Sequence, residues 1–123
     1  MPATVTFHRI IINSQKLGSD DEHMVSVMNF TLTIGDESFE KLIVVVKQTA
    51  GSDFNTAPLE VSAPIGYDGP INFNAFRDEV ENYYREHVGE RGRVLNIDPS
   101  ATATRLINCR VDSEKVVQLP DES

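Results

Sequence analysis

Between residues 24 and 34 apolar and polar side chains alternate. Met24, Met28, Phe30, Leu32 and Ile34 share one face, and Val25, Val27, Asn29, Thr31 and Thr33 share the other. A period of two is that of a β-strand, whose successive side chains point to opposite faces of a sheet. Gly35-Asp36-Glu37 offers a chain reversal, because glycine tolerates positive φ and aspartate bonds its own backbone. A second strand is predicted over residues 38–49, so the pair reads as one long hairpin. Residues 3–12 also alternate at first, with Val5, Phe7 and Ile11 on one side, and end in Ile10-Ile11-Ile12. Near the C-terminus a strand is predicted over 103–111, where Ala103, Ile107, Cys109 and Val111 fall on one side. A turn at Asp112-Ser113-Glu114 then leads into a short strand over 115–119.

The period changes over residues 73–88. A rotation of about 100° per residue brings Phe73, Phe76, Val80, Tyr83, Tyr84 and His87 into one arc, which predicts an amphipathic helix. Asn72 is placed to cap its first amides, Ile71 to staple onto Phe76, and Gly89 to stop it. Arg77, Asp78, Glu81, Asn82 and Arg85 occupy the opposite face, with Glu81 and Arg85 spaced as an i,i+4 ion pair. Between residues 50 and 70 the breakers Gly51, Pro58, Pro64, Gly66, Gly69 and Pro70 leave room only for a short strand near residues 59–62. An irregular segment of this length is a natural place for a binding site.

The 123 residues include 13 Val, 9 Ile and 8 Thr, whose branched Cβ atoms pack best on a pleated surface. The expected fold class is therefore α+β. It consists of an antiparallel sheet or small two-sheet barrel of five or six strands with one main helix over 73–88, and residues 1–123 form a single domain. One stretch does not fit a half-solvated sheet. Leu42-Ile43-Val44-Val45-Val46 has no alternation, which in a strand implies cover on both faces, and a single helix covers only one. The second cover is either the C-terminal hairpin or another copy of the chain, so a homo-oligomer built on the face of strand 38–49 is expected. Lys41 and Lys47 bracket the run as charges that discourage uncontrolled strand pairing.

Charge narrows the partners. The formal net charge is -8, from 19 acidic and 11 basic residues, and such a field repels a phosphate backbone. No nucleic acid is expected as a partner. No apolar run approaches the roughly 18 residues of a membrane span, and Met-Pro-Ala-Thr does not start a secretion signal, so a cytoplasmic location without membrane contact is expected. Cys109 is the single cysteine, which excludes an internal disulfide and every zinc site needing two thiolates.

Candidate chemistry is sparse. His87 falls inside the apolar arc beside Tyr83 and Tyr84, and these three are the weak candidates for acid–base work. A histidine in a last helical turn is more often structural, because a cation there meets the negative end of the helix dipole. Asp20-Asp21-Glu22-His23 offers metal-ligating atoms, but adjacent residues do not converge on one ion, and a solvated loop is the simpler reading; no metal site is predicted. Cys109, flanked by Asn108 and Arg110 on a strand, reads as an inert buried thiol. Gly89-Glu90-Arg91-Gly92 resembles a backbone-clamping Gly-x-x-Gly loop only superficially, since it carries a glutamate and no second helix follows. Phosphate-binding, dinucleotide and nucleophile-elbow motifs do not occur, and no cofactor is predicted. Two classes of function remain: a non-catalytic interaction or assembly protein using sheet surface, and a small enzyme or small-molecule binder built on Tyr83, Tyr84, His87 and the 50–70 segment.

Overall fold

The computed structural model describes residues 2–17, 21–49, 59–89 and 106–121. Within them the chain forms β1 (Ala3–Leu17), β2 (Asp21–Ile34), β3 (Glu37–Thr49), β4 (Leu59–Val61), α1 (Phe73–Tyr84) and β5 (Leu106–Leu119). The strands make one antiparallel sheet in the order β4-β3-β2-β1-β5. The fold is thus α+β as the sequence implies, with five strands. The sheet is open and not the two-sheet barrel, because the edge strands β4 and β5 do not pair with each other.

The hairpin between β2 and β3 closes tightly. Ile34 pairs with Glu37, and Gly35 takes φ +60° at the first central position of the turn, where an L side chain is disfavoured. The first hairpin runs further than expected: Asp21, Glu22 and His23 pair with Leu17, Lys16 and Gln15, so these three extend β2 and are not part of a loop.

Three one-residue insertions lie side by side across the sheet. In β1 the extra residue is His8, since Phe7 pairs with Phe30 and Arg9 with Asn29. In β3 it lies at Glu40-Lys41, because Leu32 pairs with Phe39 and Phe30 with Leu42. In β5 it lies at Ser113-Glu114, where Phe7 pairs with Lys115 and Arg9 with Asp112. Each bulge shifts the alternation by one residue. The core side chains of β1 are therefore Val5, Phe7, Ile10 and Ile12, and Ile11 lies on the other face instead of beside Phe7. The turn expected at Asp112-Ser113-Glu114 is likewise corrected. Both halves of β5 pair with the same strand, β1, so the polar triplet bulges and the chain does not reverse.

Helix α1 covers one face of the sheet. The side chain of Asn72 accepts from the Ala75 amide at 3.1 Å and caps the helix, while Ile71 packs against the core. Phe76, Val80, Tyr83 and Tyr84 are fully buried; Phe73 stays exposed, with the Arg77 guanidinium 6.0 Å from its ring centroid. After Tyr84 the chain widens into a π-helical turn, Arg85–Gly89, which ends at the glycine expected to stop the helix. Rings link helix to sheet: Phe76 tilts against Phe30 at 5.3 Å, and Tyr83 stacks on Phe7 at 4.6 Å. On β3, Leu42, Val44 and Val46 point into this core.

The 59–70 part of the irregular segment seals the outer edge of β3. Beyond the β4 pairing, Ile65 bridges Ile43 and the Ser62 amide donates to the Val45 carbonyl at 2.9 Å. Gly66 takes φ +103°, and a Cβ there would lie 3.0 Å from Leu42 Cδ2. Residues 50–58, the Glu90-Arg91-Gly92 part of the glycine loop, and the strand start at 103–105 lie outside the described residues. No described helix is long and apolar enough to cross a membrane.

Candidate functional site

The structure brings Tyr83, Tyr84 and His87 together, at the junction of α1 and the π turn. The Tyr83 hydroxyl donates to the carbonyl of Ser113, a residue of the β5 bulge, at 2.5 Å. The Tyr84 hydroxyl donates to Oε1 of Gln48, a fully buried side chain of β3. The His87 ring lies 4.4 Å from that of Tyr83, and its Nδ1 donates to the Tyr83 carbonyl at 2.8 Å, since a carbonyl only accepts. Burial raises the phenol pKa of both tyrosines, with Asp112 and Glu86 adding to the rise for Tyr83. The hydroxyls of Tyr83 and Tyr84 thus hold the helix on the sheet, while the His87 contact stays within the helical segment. The 59–70 segment lies at the opposite edge strand from β5 and lines a separate depression of about 600 Å³ with Phe39, Tyr67, Ile71 and Pro120.

A second concentration of polar groups was not foreseen from the sequence. On the face of the sheet away from α1, the row of bulges opens a depression of about 450 Å³ lined by His8, Arg9, Asn29, Thr31, Glu40 and Lys41, with Phe30 as its floor. His8 Nε2 lies 2.7 Å from Thr31 Oγ1, so a hydrogen bond across β1 and β2 fixes the ring. Lys41 holds φ +60°, the one non-glycine residue with positive φ among those described. A side chain in this region costs about 1 kcal/mol or more. Arg9 Nε is buried without a hydrogen-bond partner. Its ion pair to Asp112 Oδ1 is long, 3.8 Å, and the same oxygen accepts from Arg110 Nε at 3.1 Å. The charged lining of the depression is thus Arg9, Lys41 and Glu40, with Asp112 outside the lining and 3.8 Å from Arg9.

Only one trace of this site is visible in the sequence. Phe7 and Ile10, like Phe39 and Leu42, are apolar residues three apart inside strands, and such an interval breaks a period of two. Among the described residues no group of three or more His, Cys, Asp or Glu is placed to hold a metal ion. Cys109 lies on β5, and its side chain is outside the described set. No known protein family, curated protein or solved structure matches the chain.

Proposed function

We propose that this chain is an interaction or assembly protein whose working surface is the face of the sheet opposite α1, and that its partner there is a second copy of itself. The observation that carries this reading is a block of apolar side chains on that face. Val45, Val27 and Ile11 lie directly opposite one another across β3, β2 and β1, with Ile43 and Val25 beside them. All five are half-buried, and none belongs to the core cluster under the helix. Contiguous apolar surface of this kind favours association.

Two further features favour face-to-face packing over edge pairing. The long edge strand β5 carries Arg110, Asp112, Glu114 and Lys115 around its bulge, and charges and bulges oppose strand addition. Each border of the apolar block carries both signs, Glu60 opposite Lys47 at β4 and Arg110 ion-paired to Asp112 at β5, so neither repels a second copy.

Light scattering at micromolar concentration tests the reading. The wild-type chain is expected at twice its 13.7 kDa mass, and Val45→Lys at the single mass with unchanged circular dichroism. Val44→Lys serves as the opposite control: Val44 is fully buried under the helix, and a lysine there should unfold the chain and not merely separate two copies. A monomeric wild type overturns the proposal, and so does a dimer that Val45→Lys leaves intact.

A further inference from the structure

The depression on the bulge line has properties that self-association does not explain. Packed sheets interdigitate side chains that alternate regularly along each strand, and a bulge breaks that alternation. Here β3, β1 and β5 each carry an insertion at the same level, and the one positive-φ position among the described non-glycine residues is a lysine. The lysine and Arg9 reach the depression from opposite sides of β2, while Asn29 and Thr31 of β2 supply an amide and a hydroxyl between them.

We propose that this depression binds a small oxyanion, the carboxylate or phosphate group of a small polar ligand. Arg9 and Lys41 provide the charge, and Asn29, Thr31 and the Thr31-anchored ring of His8 provide the directional contacts. Arginine suits this role because its planar fork matches the geometry of both oxyanions. The 450 Å³ volume is that of a small-ligand site. Glu40 on the rim favours a ligand that also carries a hydroxyl or ammonium donor. The depression adjoins the apolar block on the same face, Asn29 pairing with Ile43, so light scattering in the same samples reads the oligomeric state separately at each ligand concentration.

The test is an amide and histidine-ring NMR titration at constant ionic strength with inorganic phosphate and, separately, with sodium acetate. Saturable shifts at His8, Arg9, Asn29 and Lys41 are expected. They should weaken at least tenfold in Arg9→Gln and in Lys41→Gly, with circular dichroism as the check that each variant folds. Saturation by phosphate alone identifies a phosphate ligand, and by acetate alone a carboxylate. If neither probe gives saturable shifts at these residues up to tens of millimolar, or if both variants shift as the wild type does, the proposal is overturned.

Discussion

At the scale of single residues, Lys41 is the position where fold and function pull apart most clearly. Its φ of +60° suits glycine, which lacks the Cβ that clashes with the neighbouring carbonyl. Its ammonium group lines the depression and makes no salt bridge among the described residues. Lys41→Gly is therefore expected to stabilise the protein by about 1 kcal/mol, less what glycine gives back in unfolded-chain entropy. Chemical denaturation checks this. A loss of stability would mean that the lysine stem contributes packing worth more than the strain. A gain in stability together with lost oxyanion binding is the pattern of a strained residue kept for its chemistry.

At the scale of elements, the bulge at His8 makes a stronger claim. Phe7 and Ile10 both face the core, and between them the chain spends two residues where regular pairing with β2 needs one. Deleting His8 therefore leaves Phe7 opposite Phe30 and Ile10 opposite Met28, with every core side chain of β1 still on its own face. The cost falls on β5, an edge strand whose bulge would enlarge and whose other side pairs with no described strand. The deletion variant is expected to fold with its β1–β2 pairing intact and to lose the depression. Cross-strand amide contacts by NMR, with thermal unfolding, are the check. Failure to fold would show that the bulge is required by the architecture.

At the scale of the whole molecule, stability should depend on pH through the two helix tyrosines. Both have phenol pKa values raised above 10.0, burial being the first cause in each. Below pH 10 folded and unfolded chains hold the same phenolic protons. Above it the unfolded chain releases protons that the folded chain keeps, so stability falls as pH rises. Alkaline unfolding should then coincide with tyrosinate absorbance from two of the three tyrosines. Ionisation of all three while circular dichroism stays native would show that the Tyr83 and Tyr84 hydroxyls are open to solvent. The same whole-molecule view explains the unbroken run at residues 42–46: helix α1 covers Leu42, Val44 and Val46, while Ile43 and Val45 join the apolar block assigned to a second copy.

The sequence by itself determined the elements. Alternation placed β2, the reversal at Gly35 placed β3 after it, the arc from Phe76 to Tyr84 placed α1, and Asn72 marked its cap. These signals are legible because they are local: side-chain period, capping and turn geometry are set within a few residues. Tertiary structure decided where the alternation breaks, because a bulge is a compromise between a strand and its neighbours. Asp112-Ser113-Glu114 has turn composition and became a bulge only because β1 runs straight past both of its flanks. Tyr84 meets Gln48 across 36 positions of sequence, and His8 meets Thr31 across 23. The depression is the furthest removed from local pattern. His8, Arg9 and Lys41 belong to two different strands, and only the registers of both strands on β2 bring their side chains to one place.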